Sequence, residues 1–267
     1  MAKIVWGLAL VLGVSPIAIG QSAPLHGAEK SSWYMYFGDH PVTQNYGVHL
    51  EAQYRAQGVG QEPTQLLLRP GFIYYLPKNV MISMLYGYVR DYPFEGGPLA
   101  DPRRSGPQPE HRLAQEFRWT HTLANYAGKR ATAQHRFRLE QRWLGQSSEA
   151  AGVYDWHFAE RARYRLYTQF PLPFNTKNAW PDYLAAYNEV MVRFGPHSGT
   201  SAIDQNRTYG ALGWKLSPAF NLEVGYLHQY LPRSNGFVGE HNNAFQLSIS
   251  STAQLQKLLV PKARRSR

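Results

Sequence analysis

Between Glu110 and Phe170 arginine and glutamate recur on every second residue, with aromatic and aliphatic side chains interleaved. In HRLAQEFRW the polar members are Arg112, Glu116 and Arg118. In QHRFRLEQRW they are Arg136, Arg138, Glu140 and Arg142, and in RARYRLYTQF they are Arg161, Arg163, Arg165 and Gln169. A period of two is the period of a β-strand, whose successive side chains point to opposite faces. The stretch therefore makes a sheet with one ionic and one apolar face. These strands carry eight inward arginines, at 112, 118, 136, 138, 142, 161, 163 and 165, against two glutamates, Glu116 and Glu140. Glu51, Glu189 and Glu223 on other strands supply three more carboxylates. The residual guanidinium groups suit a carboxylate or phosphate, because the planar fork donates in pairs.

Other chemistry leaves weaker marks. His228 with Ser234 and Asn235, or His241 with Asn242, could serve a hydrolase of the Ser-His type, but the spacing matches no compact catalytic motif and the serine falls in a glycine-containing loop. His49, His111, His135, His157 and His197 stand on separate segments without cysteine or close histidine pairing, so no metal set is expected. Asp204 in DQNR reads as a partner for lumen arginines. There is no phosphate loop or dinucleotide fingerprint, so the chain is expected to be neither an enzyme nor a cofactor binder. Nucleic acid is not an expected partner.

The elements that must hold these side chains are strands almost to the end of the chain. Alternation predicts them over 32–38, 45–57, 65–76, 80–92, 110–122, 131–144, 155–170, 183–194, 206–216, 219–231 and 241–252. Many exceed the five or six residues usual in globular sheets, as tilted membrane strands must. Tight turns at LPKN and SPAF contrast with long polar connections over 93–109 and 195–205, the asymmetry of an outer-membrane barrel. The chain has 267 residues and no cysteine, 14% aromatic residues and a mean hydropathy of -0.45. Residues 1–20 carry Lys3 and an apolar run to Ile19, the pattern of a Sec-type signal peptide. The formal charge is +10. Losing that one lysine leaves it basic. Residues 21–255 read as one barrel domain and 256–267 as a basic tail.

The expected fold is all-β: an antiparallel transmembrane barrel of about 10 to 12 strands with an Arg/Glu-rich lumen. Arg69, Arg112, Arg118, Arg136, Arg138, Arg142, Arg161, Arg163, Arg165, Arg193 and Arg207 are its candidate anion-binding groups. Glu51, Glu116, Glu140, Glu189 and Glu223 are their counter-charges. Leu113, Phe117, Trp119, Phe137, Leu139, Trp143, Tyr164, Leu166, Val190, Val192 and Leu212 point outward, since arginines facing hydrocarbon would cost about 2–4 kcal/mol each at the midplane. Eleven strands conflict with the even number usual in bacterial barrels. Two resolutions are available: WYMYFGD lies beside a ten-stranded barrel, or a further strand exists.

The segments WYMYFGD, NYGVHLEAQYR, LLLRPGFIYY, EHRLAQEFRW, HRFRLEQRW, RYRLY, YNE and DQNRTYGALGWKL, in this order over residues 33–230, resemble the DUF2490 family. The resemblance implies an outer-membrane β-barrel of Gram-negative bacteria without a settled activity. A structural barrel or a narrow porin-like conduit is then the expected function. Its expected partners are outer-membrane lipid and lipopolysaccharide, periplasmic chaperones and the barrel-assembly machinery during biogenesis, with a small anion as a candidate ligand. The alternatives are a lipid-modifying outer-membrane enzyme and a soluble periplasmic lipocalin-like carrier. One departure from common barrel usage is the end NAFQLSISSTAQ, which lacks a terminal aromatic.

Overall fold

The computed structural model describes residues 23–26, 31–92, 106–126, 128–173, 180–195, 202–232 and 238–254. The signal-like segment 1–20, the basic tail 256–267, Ser234, Asn235 and His197 lie outside these residues. Twelve strands follow one another: β1 (Ala23–His26), β2 (Ser31–Pro41), β3 (Tyr46–Gln57), β4 (Glu62–Leu76), β5 (Val80–Asp91), β6 (Gln108–Tyr126), β7 (Lys129–Ser148), β8 (Gly152–Pro171), β9 (Tyr183–Phe194), β10 (Ile203–Ser217), β11 (Phe220–Pro232) and β12 (Val238–Ser251). Each of the eleven segments expected from alternation is a strand here.

From β2 to β12 every strand pairs antiparallel with the next, and β12 pairs with β2 to close the sheet into a barrel. An odd number of strands in strict alternation leaves the first and last running the same way. The seam is accordingly parallel, with Ser31 opposite Ala244 and Gly38 opposite Ser251. A further strand does exist, β1, but it does not make the wall even; the parallel seam resolves the parity. WYMYFGD is a strand of the barrel wall, and the barrel stays at eleven. The short β1 continues the β2 edge, also parallel to β12, with Ala23 opposite Val238.

The strand ends at Pro41, Tyr46, Leu76, Val80, Tyr126, Lys129, Pro171, Tyr183, Ser217, Phe220 and Ser251 share one rim, called lower here, and the opposite strand ends share the upper rim. At 77–79 both Lys78 (φ 62°) and Asn79 (φ 58°) are left-handed. Two such residues make a primed turn, whose twist matches that of the flanking strands. Asparagine tolerates this region, whereas lysine does so at a cost.

Alternation also sorts the two faces. Phe72, Phe117, Trp119, Phe137, Leu139, Trp143, Tyr226, Phe245 and Ile249 are exposed on the outer wall. Arg69, Glu116, Arg138, Glu140, Arg163 and Glu189 are buried within the barrel. Two side chains per pleat on opposite faces leave no other solution once the sheet closes. The outer wall is interrupted across β9–β12, where Asn188, Thr208, His228 and Asn243 are successive cross-strand partners. There Asn188 and Asn206 exchange side-chain amide hydrogen bonds of 3.3 and 3.2 Å.

The parallel seam can be tested in a chain with no native cysteine. Tyr36 and Ile249 are Cα partners on the outer face. Tyr36→Cys with Ile249→Cys should cross-link under a short thiol-reactive reagent, seen as altered gel migration. Tyr36→Cys with Ser248→Cys should not, because Ser248 points inward. Cross-linking in neither pair would refute an eleven-strand closure.

Candidate functional site

The lumen is built from the bottom up by strand register. Arg118, Arg136, Arg165, Glu189 and Arg207 are Cα partners in succession on β6, β7, β8, β9 and β10. One row thus holds four arginines and one glutamate. Like charges directly opposite each other destabilise a sheet unless something intervenes. Carboxylates from this row and its neighbours do so for two of the four. Arg118 donates to Asp39 across the lumen (2.5 and 3.1 Å) and pairs with Glu116 at 2.6 Å. Arg136 donates to Glu189 at 2.5 Å.

Glu140, fully buried, anchors the centre. One of its oxygens accepts from Arg161 Nε and Nη2 (2.9 and 2.6 Å), and the other accepts from Arg163 Nη1 at 2.8 Å. Arg69 approaches from the opposite wall to 3.7 Å while donating to Glu51 at 2.6 Å. Arg138 donates to Glu116 at 2.6 Å and reaches toward Glu140 at 3.7 Å and Glu51 at 4.0 Å. Arg163 also donates twice to Glu189 through Nη2 (2.8 and 2.9 Å). His49 sits between Asp39 (2.7 Å) and Glu51 (3.3 Å). The result is one lattice spanning β2 to β9, in which each carboxylate is shared by two or more cations. Charge-assisted, multidentate bonds of this kind are the strong ones, and they replace the water these groups have lost.

Above the lattice Glu110 is clamped by Arg112 (2.5 and 2.7 Å) and Arg142 (2.6 and 3.0 Å). Asp204 joins Arg161 at 2.7 Å and Arg193 at 3.0 Å, the pairing expected of it. Two cavities flank this centre. The upper one, about 510 Å³, is lined by Glu110, Arg142, Arg193 and Asp204 among others. The lower one, about 300 Å³, includes Asp39, Glu51, Arg136, Arg163, Arg165, Arg207 and Glu223. They share no lining residue. Arg69, Arg112, Glu140 and Arg161 belong to neither and form the belt that separates them.

The side of the lower cavity facing β2 and β9–β12 is aromatic rather than ionic. Trp33, Met35, Tyr187, Tyr209, Leu227 and Ala244 pack together there. The Arg55 guanidinium lies 3.8 Å from the Trp33 ring centroid and that of Arg207 5.1 Å from it. Arg165 lies 5.5 Å from Tyr187. Cation–π contacts of this kind stabilise a guanidinium without neutralising it.

Most of the expected site residues therefore converge, with two corrections. Glu223 does not serve as an arginine partner: its carboxylate accepts from the hydroxyls of Tyr167 (2.5 Å), Tyr183 (3.2 Å) and Tyr209 (3.4 Å). Gly213 makes this possible, since a Cβ there would lie 2.2 Å from the Tyr183 ring. Arg165 and Arg207 are met by amides instead of carboxylates, Gln134 at 3.3 Å and Gln205 at 2.8 Å. Three lumen groups were absent from the expected set: Asp39, Arg55 and Glu110. Glu110 is two residues from Arg112, Arg55 shares the parity of Glu51, and Asp39 that of Trp33 and Met35, so the period alone could have found them. His228 lies on the outer wall with its Nε2 3.1 Å from Nδ1 of His241. Among the described residues no group of three or more histidine, aspartate or glutamate side chains could hold a metal ion.

The family model described as "Protein of unknown function (DUF2490)" matches residues 30–240. The chain belongs to the DUF2490 family. That match covers the whole ionic lattice and every strand from β2 to β11. No curated protein matches this DUF2490 member. Among solved structures it is similar to the NanC porin in a rhombohedral crystal form, at 11% identity, covering 83% of this chain and 98% of that one with a TM-score of 0.46.

The lattice makes a sharp contrast between two carboxylates. Glu140→Gln removes a charge that Arg161 and Arg163 share and sets an amide NH2 against their donors; because Arg161 keeps Asp204 and Arg163 keeps Glu189, it should destabilise the refolded barrel by about 3 kcal/mol, the lower end for breaking a buried ion pair. Glu223→Gln keeps an oxygen for Tyr167 and Tyr183, which share Oε1, gives up only the long 3.4 Å bond from Tyr209 to Oε2, and should cost about 1 kcal/mol. Urea unfolding followed by tryptophan fluorescence distinguishes them. Equal losses would overturn the assignment.

Proposed function

We propose that this protein is an integral outer-membrane β-barrel that is closed at mid-lumen, a structural barrel with no standing aqueous path. The observation that carries the reading is the belt of Arg69, Arg112, Glu140 and Arg161, which divides the interior into two cavities with no common lining. Opposite walls meet there through side chains, as expected of a barrel of this size whose interior side chains can fill.

The membrane location is supported by the outer wall. Trp119 and His135 are partners near the lower rim, and His111 and Trp143 are partners eight residues further along the same strand pair. Eight residues span about 26 Å along a strand, or about 20 Å along the axis at a tilt of about 40°. Aromatic pairs at both ends of an exposed apolar band of this height match the two girdles of a membrane barrel. The lipid-facing residues would meet outer-membrane lipid and lipopolysaccharide, and the chain would reach them through periplasmic chaperones and the barrel-assembly machinery.

A narrow conduit is the second reading. It is favoured by the alignment of two polar cavities above and below a single belt, so that rearranging four side chains would join them. Fractionation and bilayer recording decide between the readings. The closed barrel requires detergent-dependent extraction, heat-modifiable gel migration and no resolved conductance steps from the wild-type protein in planar bilayers. Release with soluble periplasmic contents would remove the membrane assignment, and a steady ohmic conductance would replace the plug with a pore.

A further inference from the structure

Four arginines of the lower cavity, Arg136, Arg163, Arg165 and Arg207, surround the single carboxylate Glu189. That carboxylate is already committed: Oε1 accepts from Arg136 (2.5 Å) and from Arg163 Nε and Nη2 (3.0 and 2.8 Å), and Oε2 accepts from Arg163 at 2.9 Å. Arg165 and Arg207 flank Glu189 on the adjoining strands, one on each side. No carboxylate lies within ion-pair distance of either among the described residues. The Nε–H groups of Arg136, Arg165 and Arg207 are buried and have no acceptor. All three side chains line the same cavity of about 300 Å³.

Such an arrangement is expensive without a counter-charge. A buried donor left unmet costs about 1–3 kcal/mol, more when it is charged. Cation–π contacts with Trp33 and Tyr187 hold the planes of Arg207 and Arg165 in place but leave the charge uncompensated. Fixed planes that each keep an unmet Nε–H beside a neutral amide partner suit an oxyanion, which accepts charge-assisted hydrogen bonds from guanidinium groups.

We propose that the lower cavity binds one small oxyanion, a carboxylate or a phosphate, between Arg165 and Arg207, with Arg136 supplying a third donor. It deepens the closed-barrel reading and rests on it in one respect: the cavity is a dead end open toward the lower rim, so the anion is held there and not passed across. The walls belong to a closed barrel and admit a free small anion, not the headgroup of a bilayer lipid.

The test uses the full-length chain refolded in detergent, titrated calorimetrically with inorganic phosphate and with acetate in separate runs at constant ionic strength set by chloride. Saturable binding of at least one probe at a stoichiometry near one is expected. Arg165→Gln and Arg207→Gln should each weaken it about tenfold, the equivalent of one charge-assisted hydrogen bond. Arg90→Gln, on the outer face at the opposite rim, should leave it unchanged. Heat-modifiable migration verifies that each variant has folded. If Arg165→Gln fails that check, Arg207→Lys keeps the charge, loses the planar fork and should still weaken binding. No saturable heat with either probe, or wild-type affinity in the Arg165→Gln/Arg207→Gln pair, would overturn the site. Conductance plays no part in this readout. A conducting protein that still binds would discard the plug and keep the site, and a silent protein that fails to bind would do the reverse.

Discussion

A carboxylate withdrawn from water must be met by donors, and the interior of this barrel is organised by that requirement. Glu140 is enclosed on every side, and Arg161 and Arg163 reach it from the neighbouring strand while Arg69 and Arg138 crowd toward it. Each guanidinium that satisfies one carboxylate is drawn on to another, so that Asp39, Glu116, Glu140 and Glu189 become nodes of a single lattice. The strand register around the ring is tied to these nodes. A slip of one residue on any of β6–β9 would turn arginines into the exposed apolar wall and leave their carboxylates bare.

The same requirement explains the division of the interior. Where acids and arginines alternate between strands, side chains from different walls meet, as Arg69 and Arg138 do around Glu140. Where arginines outnumber acids, on the Arg118-to-Arg207 row, space remains, and aromatic rings occupy the facing wall. Glu223 completes the contrast. It lies in the aromatic sector and is met by three tyrosine hydroxyls, neutral donors that satisfy its oxygens without drawing any arginine away from the lattice.

Much of this could be read in the sequence, because a closed sheet translates a period of two directly into inside and outside. The strands, the sign of each face and the convergence of arginines with Glu51, Glu116, Glu140 and Glu189 all follow from alternation. The partners do not. Whether Glu223 meets arginine or tyrosine depends on the stagger between β8 and β11, three strands apart, and on the space Gly213 leaves for Tyr183. Asp39 finds Arg118 across the lumen, a contact separated by 79 residues that no local pattern encodes. Closure was equally hidden: the strand count was legible, but the seam is a pairing between the two most distant strands of the barrel, and no turn chemistry specifies it.

The parallel seam also sets the polarity of the chain relative to the barrel. In an even-stranded meander the first and last strands are antiparallel neighbours, so their outer ends emerge side by side and a short turn could join them. Here Ser31 opens β2 at the upper rim, whereas Ser251 ends β12 at the lower rim. A circular permutant that joined these two strand ends would need a linker running the full height of the wall. Joining finish to start therefore means crossing the wall, a constraint that barrels with an even count do not have.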